Sequence, residues 1–302
     1  MVGLFFLVAL VTACLCSLPY WMGAPLAGAS GHPQSRYTQQ NLGHIYEKPA
    51  LPGPGGTGYL LGSDALGRSL LGRLLVGGVI SLGISLASAL IAVVLGATVG
   101  LLAGYVGGRT DALLMRTVDV LYGLPYILLV ILMRVALVPP AAHLLGRVLH
   151  DPAAGGPLAN VLVLLGGIGA VSWLTMARVI RGQVLALKGQ PFIEAAWAMG
   201  VSPAGILWRH LLPNLVSPIL VYATLTVPQA ILSESFLSFL GLGIQSPLPS
   251  WGNLASEGTD AFNPVHSYWW LILWPCVALS LTLLSLNFVG EGLRDALDPK
   301  AR

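Results

Sequence analysis

The side chains that could do chemistry in this 302-residue chain are few and scattered. Its six histidines, His32, His44, His143, His150, His210 and His266, form no H-E-x-x-H or comparable ligand pair. Cys14, Cys16 and Cys276 lie in apolar runs with no second Cys or His at zinc spacing, so they read as small buried hydrophobes rather than as a disulfide framework or metal ligands. The chain has no G-x-S-x-G nucleophile elbow and no G-x-x-x-x-G-K-[ST] phosphate loop. Catalytic residues, bound cofactors and metals are therefore not expected, and any use of ATP falls to another polypeptide. Two ionisable residues do stand out, because Arg134 and Glu234 sit inside apolar runs, where a charge is costly and usually faces protein or water. Arg134 is expected to snorkel to an interface, and Glu234 either to face a water-filled path or to pair with a neighbouring helix.

The densest punctuation lies in the polar stretch 177–214. Pro191 fits a first helical position and Gly200 the residue just past a helix end. Ser202 can cap a second helix that Pro203 opens and Pro213 ends, so two short helices joined by a bend are expected. On the first, Phe192, Ala195, Ala196 and Met199 fall at i, i+3, i+4 and i+7, a low apolar face suited to a groove on a partner protein. A helix lying on the membrane surface would carry several basic residues on its polar face, and only Glu194 is charged between Lys188 and Arg209.

The elements that must hold this stretch follow from composition. The chain is 55% hydrophobic and 9% charged, with a mean hydropathy of +0.79, far from a soluble domain with about 25% charge. Crossing about 30 Å of hydrocarbon takes roughly 20 apolar helical residues. Six such spans are read, at 3–19, 79–106, 120–138, 158–176, 215–236 and 268–290, which makes the chain an all-α polytopic membrane protein. The organisation is a first transmembrane helix (1–19), an extracytoplasmic loop (20–78), a core (79–290) containing the 177–214 segment, and a tail (291–302). Pro33, Pro49, Pro52 and Pro54 with Gly53, Gly55, Gly56 and Gly58 mark the loop as irregular. Gly96, Gly100, Gly104 and Gly108 place small residues on one face of the second span, where another helix can come close.

Basic residues orient the chain. With the N-terminus inside, Arg109, Arg116, Arg178, Arg181, Lys188, Arg209, Arg294, Lys300 and Arg302 fall inside, against Arg36, Lys48, Arg68, Arg73 and Arg147 outside. Nine against five puts both termini in the cytoplasm. Val11-Thr12-Ala13-Cys14 could pass for a lipoprotein cleavage site, but no basic residue precedes Arg36, so this stretch is read as a span. A net charge of +3, dispersed along the chain, gives no nucleic-acid footprint.

Glu194-Ala195-Ala196, Gly200 and Leu212-Pro213 resemble the EAA motif of ABC importer permeases. The form Arg209-His210-Leu211-Leu212-Pro213-Asn214 resembles that of the dipeptide, oligopeptide and nickel subgroup, with His210 where the general pattern has Ile. Leu61-Gly62-Ser63-Asp64-Ala65-Leu66-Gly67-Arg68 resembles that subgroup's LGTDxLGRD, with Ser63 for Thr and Ser69 for the second Asp. Ala177-Arg178-Val179-Ile180-Arg181-Gly182-Gln183 resembles its ARxxRGQ, and Leu237 to Gly243 with Pro249-Ser250-Trp251-Gly252 resembles its LSFLGLG and PSWG. Four motifs in order between residues 61 and 299 make the chain most similar to the C-type permease subunit. A Pro- and Gly-bearing loop at 139–157 is a further departure.

The resemblance implies a type I importer permease fold with a coupling helix between spans 4 and 5, in a bacterial inner membrane, moving di- or oligopeptides by alternating access. Nickel chelates and glutathione-like solutes are alternative cargoes, and a self-contained, ion-gradient-driven transporter is the competing class. The implied partners are membrane lipid, two ATPase subunits holding ATP and Mg, a second permease of the homologous B type, and an extracytoplasmic substrate-binding protein. Glu194, Ala195, Ala196, Gly200, Leu212 and Pro213 would couple to the ATPase, Glu194 holding the bend by hydrogen bonds and the alanines permitting close approach. Glu234 is the candidate for the translocation pathway.

Overall fold

Backbone groups have no water to bond in hydrocarbon, so a chain this apolar folds by satisfying them within helices. The computed structural model describes residues 2–23, 26–27, 33–51, 58–263 and 265–297. Pro52, Gly53, Pro54, Gly55 and Gly56 of the loop, His32, and Lys300 and Arg302 of the tail lie outside them. The elements are α1 (Val2–Met22), β1 (Leu26–Ala27), β2 (Pro33–Gln34), α2 (Leu70–Val106), α3 (Gly108–Tyr122), α4 (Tyr126–Val148), α5 (Pro152–Lys188), α6 (Pro191–Ala198), α7 (Pro203–Ile206), a π-helical turn (Leu207–Leu211), α8 (Leu212–Phe239), α9 (Trp251–Asp260) and α10 (Trp269–Leu297). The two strands pair antiparallel over two residues each, so the fold is nearly all helical. Among the described residues six helices are long and apolar enough to span a membrane: α1, α2, α4, α5, the run from α7 through α8, and α10.

Several elements differ from the expected boundaries. α2 begins at Leu70, so its first two turns replace part of the expected loop. The third span opens at Tyr126, because Gly123 and Pro125 break the chain after α3. The expected loop at 139–157 is mostly helix: Pro139 and Pro140 lie within α4, and α5 opens at Pro152. Prolines are tolerated in membrane helices because neighbouring groups satisfy the freed carbonyls. The chain also does not stop at Pro213. Proline has no N–H for the carbonyl four residues back, and the π-helical turn just before it, where Leu212 donates to the Leu207 carbonyl, carries the helix through.

The chain divides into two units, and α2, α4, α5, α8 and α10 contribute residues to both. In the first unit (1–84, 137–164 and 231–288) the Leu61–Arg68 motif is a structural knot. Asp64 Oδ1 accepts from the Leu66 and Arg68 amides at 2.9 and 3.0 Å, and Oδ2 from Arg68 Nε and Arg73 Nη1, each at 2.7 Å. Arg73, itself buried, reaches α9 by a two-pronged pair with Glu257. Ser63 donates to the His44 carbonyl at 2.6 Å and accepts from the Glu47 amide at 2.8 Å, bonds that need only a hydroxyl, so Ser in place of Thr keeps them. A core of Leu70, Leu254, Trp270 and Leu271 lies against this knot. Cys14 is buried in this unit, whereas Cys16 and Cys276 are exposed rather than buried.

In the second unit (85–136, 165–230 and 289–302) the glycine stripe does what its spacing suggests. A Cβ at Gly100 would lie 2.5 Å from the Ala177 carbonyl and 2.9 Å from Ile180 Cβ, and one at Gly104 would lie 2.7 Å from Val184 Cβ, so α2 meets the α5 backbone. Gly108 is not part of the stripe, for it lies beyond the end of α2 with φ of +56°.

Gly100→Leu is expected to cost about 1–3 kcal/mol through overpacking, seen as a lower unfolding temperature in detergent, while Gly166→Ala, whose Cβ meets nothing within 4 Å, should be neutral. Arg73→Ala, which removes one of the two guanidinium groups on buried Asp64 and the tie to Glu257 while Arg68 remains, is expected to cost about 1–3 kcal/mol in the same assay.

Candidate functional site

The 177–214 segment is built outward from α5. Arg181 forms a two-pronged pair with Asp111 of α3 at 2.5 and 2.6 Å, and these hydrogen bonds hold the Asp111 carboxyl below its usual range. One turn earlier, Arg178 reaches Asp119 at 2.9 Å with its guanidinium 4.2 Å from the Tyr122 ring centre. At the end of α5, Lys188 donates to the Tyr105 carbonyl at 2.8 Å, placing a cation on the terminal carbonyls of α2. The Tyr105 hydroxyl in turn donates to the Pro203 carbonyl at 2.9 Å.

The bend between α6 and α7 is a backbone device. Gly200 has φ of +79°, the Val201 amide bonds the Ala196 carbonyl at 3.1 Å, and the Gly200 amide bonds the Trp197 carbonyl at 2.9 Å. This is the Schellman arrangement, which requires a left-handed residue where Gly carries no steric penalty. Ser202 then caps α7 by accepting from the Gly205 amide at 3.2 Å, and Pro191 opens α6 as expected. Glu194 does not hold the bend: among the described residues its carboxylate has no hydrogen-bond partner, and it projects from the exposed side of α6.

Two faces of α6 have separate tasks. Ile193 and Ala196 are fully buried and pack with Ile206, Leu211 and Leu215 onto Met176, Ile180 and Val184 of α5. Ala196 therefore permits close approach within this chain, and only Ala195 of the alanine pair remains outside. The outer face carries Phe192, 41% exposed, and Met199, 75% exposed, with Glu194, Ala195 and Trp197 beside them. Leu212 is partly buried and Pro213 exposed; both follow the π-helical turn rather than closing a helix.

Glu234 belongs to the first unit and to a different chemistry. It has no exposed surface, and its carboxylate accepts from Ser238 at 2.8 Å and Ser235 at 3.2 Å, with the Ser81 and Ser250 hydroxyls also in reach. Ser238 also accepts from the Ile244 amide at 3.0 Å, and α8 ends in a second Schellman turn at Gly241, where the Leu242 amide meets the Leu237 carbonyl. A pathway role for Glu234 is thereby corrected: enclosure by four hydroxyls makes it a brace between α8, α2 and the 244–250 loop, because a buried carboxylate needs every lone pair satisfied. Arg134 lies well inside α4 rather than near its end, so snorkelling is not its explanation.

The sequence pointed to both arginines of the α5 motif but not to Asp111, Asp119, Tyr105 or Lys188 as their partners and neighbours. Only the basic residue in the last turn of α5 was a readable signal, since it suits a carbonyl-rich helix end.

The pattern of the family described as "Binding-protein-dependent transport system inner membrane component" matches residues 96–302. The chain is 44% identical over 244 residues to the oligopeptide transport system permease protein OppC of Haemophilus influenzae, covering 81% of this chain and 71% of that one. It is 46% identical over 246 residues to the protein of that name in Escherichia coli K12 (82% and 74% covered), and 41% identical over 265 residues to the dipeptide transport system permease protein DppC of Bacillus subtilis (88% and 72% covered). In fold it is similar to a chain of the inward-facing MetNI methionine ABC transporter, with a TM-score of 0.56 at 22% identity, covering 76% of this chain and 98% of that one. The chain thus belongs to the family of inner-membrane components of binding-protein-dependent transport systems, as a multi-pass permease subunit rather than an enzyme.

Proposed function

We propose that this chain is the C-type permease subunit of a bacterial inner-membrane importer of di- and oligopeptides, with both termini in the cytoplasm. Two separate ATPase subunits, holding ATP and Mg, drive it through α6; a B-type permease and an extracytoplasmic binding protein complete the assembly. The observation that carries this reading is the division of α6: Ile193 and Ala196 anchor it to α5, leaving Phe192, Glu194, Ala195 and Met199 outside on a rigid, Gly200-closed support. A soluble partner with a shallow apolar groove fits that crest, and its push is delivered straight to α5 and to the start of α8. Peptides are the cargo because the relatives named above are oligopeptide and dipeptide permeases. A second cargo is favoured by one relative, the glutathione transport system permease protein GsiD of Pectobacterium atrosepticum, 40% identical over 243 residues.

The test is affinity purification through this chain from mild detergent, with ATPase and peptide-uptake assays. Glu194→Lys changes an exposed side chain, so the fold should survive with a stability change within about 0.5 kcal/mol, while co-purification of ATPase subunits or their coupling to uptake is lost. Gly200→Val strains a left-handed position by about 1–2 kcal/mol and should uncouple ATP hydrolysis from uptake, whereas Gly200→Asn should largely preserve it. A chain that purifies alone and moves solute in liposomes by itself would defeat the proposal in favour of a gradient-driven transporter. For cargo, uptake of a labelled tripeptide should be blocked by excess unlabelled peptide; stronger competition by glutathione would move the assignment to the second reading.

A further inference from the structure

We infer that Tyr105 is the positioning residue that carries the movement of α6 into α2, an inference that rests on the coupling role proposed above for α6. The segment holding α6 leaves α5 at Lys188 and enters α7 at Pro203, and both of those residues are bonded to Tyr105. At the first, Lys188 Nζ donates to the Tyr105 carbonyl at 2.8 Å and lies 5.6 Å from the centre of its ring. At the second, the Tyr105 hydroxyl donates to the Pro203 carbonyl at 2.9 Å. A single residue of α2 thus ties together the entry and the exit of the segment, and all three residues belong to the second unit. Its place in the helix makes this possible. α2 stops at Val106, so the Tyr105 carbonyl is among the last four, which have no donor within their own helix.

Packing gives α6 a seat on α5 but a weaker hold on α2. Ile193 and Ala196 lie in one core with Met176, Ile180 and Val184 of α5, whereas α2 meets that core at its edge, through the half-buried Val93, Leu101 and Tyr105. Apolar contact has no preferred direction, so such an edge can slide; a hydrogen bond holds one distance and one angle. With both ends of the segment held, α6 tilts only as α2 tilts with it. Without the hydroxyl, the Pro203 end is released while the Lys188 end stays. The hydroxyl is also dispensable to the fold. The Pro203 carbonyl accepts from the Leu207 amide as well, so Tyr105→Phe strands no acceptor there, and the ring keeps its place at the edge of the core.

The experiment uses the whole assembly, purified through this chain and reconstituted in liposomes with its binding protein. Three quantities are measured: ATP hydrolysed per labelled tripeptide taken up, the unfolding temperature, and co-purification of ATPase subunits. Tyr105→Phe leaves the outer face of α6 untouched, so temperature and co-purification should hold, while ATP spent per peptide should rise about fivefold, the factor given by one hydrogen bond. Tyr222→Phe is the control, for Tyr222 packs on the same core and its hydroxyl has no hydrogen-bond partner among the described residues; its ratio should stay at the wild-type value. Lys188→Met frees the other end, and the double variant should raise the ratio beyond either single change, since each single leaves one anchor in place. An unchanged ratio in Tyr105→Phe, an equal rise in Tyr222→Phe, or a double variant no worse than either single would overturn the inference. A lower unfolding temperature or loss of ATPase subunits in Tyr105→Phe would also overturn it, in favour of a prop for the fold. A wild-type assembly that spends no ATP on uptake takes the importer reading down and this inference with it; a coupled wild type with an unaltered Tyr105→Phe removes the inference alone.

Discussion

Helices in hydrocarbon gain nothing by hiding apolar side chains from one another, so their association rests on how closely backbones approach and how completely polar groups are paired. In this permease the approach of α2 to α5 at Gly96, Gly100 and Gly104 sets that distance. Everything above it follows. The close crossing brings Tyr105 beside Lys188, which satisfies terminal carbonyls of α2, and the Tyr105 hydroxyl then fixes Pro203. On the same floor of Ile180 and Val184, α6 finds a seat for Ile193 and Ala196. A wider crossing would separate the tyrosine from the loop that it tethers.

Much of this was legible in the residues, and the failures have physical causes. Pro191, Gly200 and Ser202 reported their positions because each answers a local requirement of backbone geometry. The same logic misled at Pro213 and at Pro139 and Pro140, where proline was taken to end or exclude a helix. In a membrane helix the freed carbonyl has no water to turn to, so the chain repairs its hydrogen bonding, here by a π-helical turn, and continues. The glycine stripe was visible by period, but Gly108 shared the period without sharing the helix.

Long-range polar pairing was the part that could not be read. Glu194 and Glu234 are both isolated acids in sequence: the first was expected to brace a bend, and the second either to face a water-filled path or to pair with a neighbouring helix. The first stays on the surface, because a Schellman turn needs no side chain, and the second takes the paired alternative, with Ser81, Ser235, Ser238 and Ser250 gathered from three parts of the chain around it. Serine spacing along one helix does not announce a partner in another. Asp111 and Asp119 escaped notice for the same reason, although they are 70 and 59 residues from the arginines that they meet.

The split of α6 has a consequence for how such proteins diverge. Residues 193 and 196 are tied to the packing of α5, while 192, 194, 195 and 199 face away from it. On the coupling role proposed above, the outward set can change without loss of fold, and the inward set can be repacked without a change of partner. Under that proposal a cell that keeps several permeases of this family insulates their power supplies from one another by drift at four surface positions, leaving a common scaffold beneath.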